Sequence, residues 1–359
     1  MPNEKIATAF EASLFDVLRV ASRLTRGRPQ LVARALRVLH HQRQASARRA
    51  GAAARGLHVP PFVIYSVTAH CNLQCEGCYA HLLHCRDVPE LPTDRVRSLL
   101  LEARNLGVSV ILLAGGEPLV RPDLLELLAE RPDVLFLLFT NGLLLEGDVL
   151  RRVARMPHVI PVLSVEGGEP ETDSRRGAGT FHHVMSAMDR LQAKKLFFGT
   201  STTLTQRNFD LATCGAQLRA LIARGCRLFY FINYVPVKPG TDHLQLDPAQ
   251  VAELDRRLMD SRRRLPAVFI AFPRDELAMG GCLAAGRGFL HINAYGDVEP
   301  CPFSPYSDAS VAEASLEEAL SSPLFRAIRA AGDLDETDGR CALWKKREWV
   351  AGLVEKNGP

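Results

Sequence analysis

The chain has 359 residues, 47% apolar and 23% charged, an ordinary globular composition that excludes a collagen-like rod, a coiled coil and a wholly disordered chain. Its formal charge of +4 is uneven: residues 1–60 carry eleven Lys/Arg against three Asp/Glu, a local net of +8, which leaves −4 for the remainder. No apolar run reaches the length of a spanning helix, and the first residues, with Glu4, Glu11 and Asp16, do not read as a secretion signal, so the nine cysteines read as thiols or metal ligands rather than as a disulfide scaffold.

Residues 1–60 read as a basic helical extension. Ile6, Phe10, Leu14, Phe15 and Leu18 recur at helical spacing, as do Leu31, Leu36 and Leu39, with a break at Gly27–Pro29. Residues 42–56, rich in Ala and Arg, read as a linker before Pro60. From residue 61 short apolar runs recur at Phe62–Val67, Val108–Leu113, Val134–Phe139, Val159–Val165, Leu196–Thr203 and Leu228–Val235, with helical patterns between them. Near-continuous apolar strands alternating with helices predict a parallel sheet covered by helices. Six such strands in residues 61–245 fit a partial (β/α)6 TIM-like barrel better than a closed eight-stranded one. A helical linker is expected over 246–277. A small unit over 278–359 follows, with short strands around Gly288–Ile292, a turn at Gly296-Asp297, and helices near Leu316–Ala330 and Cys341–Leu353.

The segment after the first strand carries the chemistry. Cys71, Cys75 and Cys78 have the spacing CxxxCxxC, followed by Tyr79. Thiolates are strong iron ligands, and short spacings let one loop wrap a cluster. Three cysteines leave one iron of a cubane open to a substrate or cosubstrate. Zinc is the alternative, with His70, His81 or His84 as the fourth ligand.

This loop resembles that of the radical S-adenosylmethionine enzymes. The resemblance implies that the three thiolates hold a [4Fe-4S] cluster whose fourth iron chelates S-adenosylmethionine. It also implies that reductive cleavage yields a 5′-deoxyadenosyl radical, which abstracts a substrate hydrogen atom. A reductant such as flavodoxin or ferredoxin is then expected as a partner. Gly115, Gly116, Glu117 and Pro118 follow the second strand and resemble the family's GGEP motif. Its glycines permit close backbone approach, and the cosubstrate's ammonium falls to Glu117 or to the carbonyls of Gly115 and Gly116. Ser164 and Glu166 resemble the family's Ser-x-Asp/Glu-Gly element near the ribose hydroxyls. Arg175 or Arg176 is a candidate for the cosubstrate carboxylate, the alternative being a solvated basic loop. Ser201, Thr203 and Asn208 point into the barrel or cap a helix, and Tyr234, Val235 and Pro236 shape the adenine or substrate pocket. The resemblance covers residues 61–236.

Farther on, Cys282, Gly296 and Cys301 are separated by thirteen and four residues, and Cys341 comes last. That spacing resembles the opening of the SPASM and twitch domains, which implies an auxiliary [4Fe-4S] cluster. The chain departs from both patterns, because only three cysteines follow residue 278. Either a non-cysteine or distant group completes the site, or its last iron is open, or the domain only lids the barrel. Cys214 and Cys226 read as small buried hydrophobes. The role of Cys85 stays open.

The expected function is hydrogen abstraction leading to oxidation or bond formation on a small molecule or lipid-like biosynthetic intermediate. The alternatives are a maturase acting on a ribosomally made peptide and a non-enzymatic iron–sulfur carrier. Nucleic acid is disfavoured, because the arginine-rich stretch lacks interleaved aromatic residues. The protein is expected in the cytoplasm, with peripheral membrane contact through residues 1–60 as one reading of the basic helices and packing under the barrel as the other.

Overall fold

Seven parallel strands alternate with helices: β1 (Phe62–Thr68), β2 (Val110–Gly115), β3 (Leu135–Thr140), β4 (Val159–Ser164), β5 (Gly199–Leu204), β6 (Leu228–Asn233) and β7 (Val268–Phe272). This computed structural model describes residues 29–331, 334 and 341–357. The sequence FVIYSVT of β1 is buried along almost its whole length, as a strand flanked on both edges and covered by helices must be. Two further strands, β8 (Phe289–Ile292) and β9 (Val298–Glu299), form an antiparallel hairpin. The sheet order is β7-β6-β5-β4-β3-β2-β1-β8-β9. The C-terminal hairpin therefore continues the barrel sheet, with β8 parallel to β1 in the register Phe62↔Phe289 to Tyr65↔Ile292.

The sheet curls until its two ends meet through side chains. Phe272 at the end of β7 lies 6.5 Å, edge to face, from Phe289 of β8. The partial barrel stands, and two parallel strands extend the predicted six: β8 beside β1, and β7, which lies in the segment expected to be a helical linker. The helix Pro248–Arg264 fills only the first part of that segment, starting on an Asp247–Gln250 capping box.

The helix Pro29–Ala54 corrects a second expectation. It runs through most of the predicted linker and packs on the helix Thr93–Leu106 at the N-terminal end of the strands. Arg49 donates to the carbonyl of Gly107 at 2.6 Å, and Arg48 to that of Arg104 at 3.3 Å. Gly107 has φ +103, and a Cβ there would stand 2.6 Å from the carbonyl oxygen of Ala45. Only glycine allows this crossing. Part of the basic arm is thus a clamp under the barrel. The segment Ile6–Leu18 lies outside the described residues. Among the described residues no helix is long and apolar enough to cross a membrane.

Candidate active site

The C-terminal ends of the strands hold the predicted site, as parallel α/β sheets generally place theirs. β1 runs out at Thr68 into the loop carrying Cys71, Cys75 and Cys78, and Tyr79 opens the short helix Tyr79–Leu83. The loop is sewn to its neighbours by backbone. Gly116 N–H donates to the Thr68 carbonyl at 2.8 Å, and Glu117 N–H to that of His70 at 2.9 Å. A Cβ on Gly116 would lie 2.0 Å from the His70 oxygen, and one on Gly115, at φ +105, 2.4 Å from that of Thr68. The two glycines are therefore required by contact with the cysteine loop itself. Glu90 accepts from Thr68 Oγ1 and Ala69 N–H, and Asn141 Nδ2 donates to Asn72 at 2.7 Å.

All three thiols are free. Burial pushes the Cys71 and Cys75 thiols up, and nearby Arg176 opposes this at Cys75, with Nη1 3.9 Å from its sulfur. A bound metal outweighs such shifts, because coordination deprotonates a thiol outright. One set of His, Cys, Asp and Glu ligand atoms lies within 4.8 Å of one another among the described residues, and it contains none of the cysteines. A tetrahedral zinc would hold its sulfurs about 3.8 Å apart. The wider spread suits a cubane, whose irons each take a single thiolate. His84 does not serve as a fourth ligand here, since its ring turns to Pro302 and Glu299.

The predicted carboxylates are buried and already engaged. Glu117 accepts from Thr140 Oγ1 at 2.8 Å, Asn141 N–H at 2.7 Å and Leu119 N–H at 3.1 Å. Burial pushes its pKa up against these bonds. It holds the buried Pro118 turn to the end of β3. Glu166 Oε1 receives Arg175 Nη1 and Arg176 Nη2 at 2.5 Å each and Arg176 Nε at 2.8 Å, while Oε2 receives only Thr203 N–H at 3.0 Å. Burial alone would raise Glu166, but the two guanidiniums hold its carboxyl below the usual range. The arginines are not a solvated loop: their side chains are 16% and 12% exposed. The carbonyl of Arg175 also accepts from Glu76 N–H, tying this pair to the cysteine loop. Ser164 stands beside buried Ser201 across β4 and β5. Asn208 is buried and makes no capping bond with its side chain. It ties the end of β5 to the end of β4 through the carbonyls of Thr203 and Glu166.

Cys282 and Cys301 are buried and Cys341 is half-buried, all three free, and the Cys301 thiol is pushed up by the neighbouring Cys341 side chain and by burial. These three line a cavity of about 120 Å³ inside the barrel. Phe62, Phe139, Tyr230, Phe272, Phe289 and Phe303 supply most of its aromatic wall, and Tyr79 and Val235 face it as well. Tyr79 follows Cys78, packs on Phe303 at 5.0 Å, and so links the first cysteine loop to the wall of the cavity that the second set lines. Cys226 is buried as expected, whereas Cys214 caps the helix Gly215–Ala223. Cys85 is exposed. The sequence reading missed Glu90, Asn141 and Phe303, whose partners lie far away in the chain, and the buried cluster of His84, His291 and Glu299.

Residues 65–211 match the family described as the Radical SAM superfamily, and residues 282–343 match the iron-sulfur cluster-binding domain SPASM. The chain is 30% identical over 325 residues to the mycofactocin maturase MftC of Mycobacterium tuberculosis, spanning 81% of this chain and 80% of that one. It is 25% identical over 324 residues to the AdoMet-dependent heme synthase of Methanosarcina barkeri, spanning 82% and 91%. Its fold resembles that of Streptococcus suis SuiB bound to precursor peptide SuiA, with a TM-score of 0.66 at 19% identity over 80% of this chain and 71% of that one. It also resembles anSMEcpe with bound AdoMet, at 0.59 and 16% over 82% and 92%.

Proposed function

The chain belongs to the radical S-adenosylmethionine superfamily and carries a SPASM domain, and from that premise we propose that it oxidises, or forms a bond at, an apolar side group of a biosynthetic intermediate. The observation that carries this is the aromatic cavity, walled by Tyr79 on one side and by Cys282, Cys301 and Cys341 on another. Its volume resembles that of cavities that take a benzene-sized molecule, roughly 150 Å³. It suits one arm of a substrate rather than a whole one. A tetrapyrrole carries such arms, in keeping with the heme synthase relative. A peptide side chain is the second reading, favoured by the 30% identity to a maturase.

In this proposal Cys71, Cys75 and Cys78 hold the cluster, and Cys282, Cys301 and Cys341 hold an auxiliary cluster. When bound, the clusters and S-adenosylmethionine supply a 5′-deoxyadenosyl radical and an acceptor for the substrate's second electron. The protein's part is to bind, orient and exclude water. Glu117 has three donors already, so the cosubstrate's ammonium falls to the backbone carbonyls of Gly115 and Gly116. Glu166 Oε2, with one donor, keeps room for a ribose hydroxyl. Arg175 and Arg176 are held by Glu166 and fix the cluster loop rather than reaching the cosubstrate's carboxylate. A flavodoxin- or ferredoxin-type protein is the proposed reductant.

The test is an anaerobic assay with side-chain-deuterated coproporphyrin or a deuterated synthetic peptide. Deuterium in the 5′-deoxyadenosine product is expected from one of them. Phe303→Arg, which fills the cavity, should leave cleavage intact and abolish the label. Unlabelled 5′-deoxyadenosine from both substrates, or full labelling by Phe303→Arg, would overturn the reading.

A further inference from the structure

Three buried ligands converge behind the second cysteine set: His84 after the helix Tyr79–Leu83, His291 on β8 and Glu299 on β9. Their side chains are 3%, 0% and 0% exposed. One ligand atom from each lies within 4.8 Å of the other two.

The hydrogen bonds around them point the imidazoles inward. His84 Nε2 lies 2.8 Å from the Pro302 carbonyl. A carbonyl only accepts, so Nε2 carries the proton and Nδ1 of the neutral ring carries a lone pair. That Nδ1 is buried, has no hydrogen-bond partner, and faces Glu299 Oε1 at 3.7 Å. A lone pair and a carboxylate oxygen facing each other out of water repel; a cation between them turns the repulsion into attraction. His291 presents Nδ1 to Glu299 Oε2 at 2.6 Å, while its Nε2 lies 2.7 Å from Ser66 Oγ. Asn293 Nδ2 donates to Glu299 Oε1 at 2.8 Å. Each imidazole thus has an outer partner at its other nitrogen and Glu299 is steadied by Asn293, the arrangement by which metal sites orient their ligands.

We propose that His84 Nδ1, His291 Nδ1 and Glu299 bind one divalent transition-metal ion, zinc by ligand type, separate from both cysteine sets. Two imidazoles and one carboxylate suit zinc, with bonds of about 2.0–2.2 Å. Ligand atoms on one tetrahedral ion stand about 3.3–3.6 Å apart. His84 Nδ1 and Glu299 Oε1, at 3.7 Å, are already near that separation, and no pair of ligand atoms, all within 4.8 Å, need close by more than about 1.5 Å to seat the ion. His291 then donates from Nε2 to Ser66, and the ion replaces the proton between His291 and Glu299. Asp297, whose carboxylate accepts from Asn293 at 3.0 Å, is balanced by Arg86 at 2.6 Å, so the charge facing the ion comes from Glu299. The ion joins the segment after Cys78 to the hairpin that leads into Cys301, and its role is to hold the two cysteine-bearing segments in register.

The experiment uses the full chain, purified anaerobically after expression with added zinc and dialysed against a mild chelator. Metal analysis and zinc K-edge absorption are the readouts, so the outcome does not depend on the substrate reading. One zinc per chain is expected, in a shell of nitrogen and oxygen at about 2.0–2.1 Å with two imidazoles and no sulfur. His84→Gln should lower retained zinc at least tenfold with iron content unchanged. Zinc below a tenth per chain, a sulfur shell at about 2.3 Å, or full zinc in His84→Gln would each overturn the proposal. The absorption spectrum of the unaltered protein decides the matter even if the variant folds poorly.

Discussion

Replacing Gly116 with alanine tests how the cysteine loop is held. The added Cβ would stand 2.0 Å from the His70 oxygen and 2.5 Å from its carbonyl carbon. Both are backbone atoms that cannot swing aside as a side chain does. A tolerable contact begins near 3.0 Å, so the loop must retreat by about 1 Å in a densely packed region. That movement strains the bonds Gly116 N–Thr68 O and Glu117 N–His70 O, now 2.8 and 2.9 Å. Overpacking costs about 1–3 kcal/mol and each weakened backbone bond about 1 kcal/mol, so about 3–5 kcal/mol falls on this loop. A 1 Å misplacement of reacting groups alone costs on the order of 100-fold in rate. The expected result is loss of the radical-cluster iron, retention of the auxiliary iron, and at least a 100-fold fall in 5′-deoxyadenosine formation. Gly51→Ala is the control: it lies in a helix with nothing within 4 Å of its Cβ position and should be neutral or slightly stabilising. A Gly116→Ala protein with full iron and full cleavage would refute the argument that backbone contact is what these glycines provide.

Exchanging both Cys282 and Cys301 for alanine should lower iron from about eight to about four per chain, leave uncoupled cleavage, and stop substrate turnover; unchanged iron on anaerobic analysis would sink the auxiliary assignment. Glu166→Gln leaves two partly buried guanidiniums without their counter-charge, and denaturant unfolding should show a loss of about 3–5 kcal/mol. A change under about 1 kcal/mol would mean that the Arg175–Glu166–Arg176 group is better solvated than its burial implies. Arg49→Ala should cost about 1–3 kcal/mol in the same measurement by orphaning the Gly107 carbonyl, while cleavage stays within twofold, because the clamp lies at the opposite end of the strands.

What was legible in the sequence followed from short-range patterns. Apolar runs such as Val159–Val165 marked parallel strands because both faces of such strands are buried. The spacing of Cys71, Cys75 and Cys78 marked an iron loop because one turn must bring the thiolates together. β7 was missed for a local reason: its five residues, VFIAF, come three residues after the long helix and stop at Pro273, too short a run to stand out from the helical pattern before it. The helix through residues 42–54 was missed because Ala-rich, Arg-rich sequence reads equally as linker or helix until Gly107 supplies a surface to pack on. The partners of Glu117 and Glu166 were not legible for a tertiary reason. A motif shows that a carboxylate is present, but not that Thr140, Asn141 or Arg176 has already taken its lone pairs. His291 and Glu299 carried no sequence signal, since their relation to His84 exists only because β8 pairs with β1.

That pairing explains why the cavity lined by the second cysteine set is also lined by Tyr79, the residue after Cys78. β1 lies between β2 and β8. Its end feeds the first cysteine loop, β2 feeds the glycine turn that grips this loop, and the β8–β9 hairpin delivers Cys301. Neighbouring strands stand about 4.8 Å apart, so three adjacent strands fix the first loop, its grip and the second cysteine set with little freedom to drift. The open side of the barrel lies between β7 and the β8–β9 hairpin, and among the described residues Phe272 packs across it on Phe289. An arm of substrate entering the cavity must pass either this seam or the strand ends. Among the described residues no strand pairing joins β7 to β8, whereas the strand-end side is tied by the bonds of Glu90 and Asn141 to the cysteine loop and by Arg176, held by Glu166, beside Cys75. The weaker boundary, and so the proposed entrance, is the β7–β8 seam. Phe272→Ala should widen it, raising substrate kcat/KM for bulky substrates while leaving uncoupled cleavage unchanged; a fall in kcat/KM with bulky and small substrates alike would place the entrance at the strand ends instead.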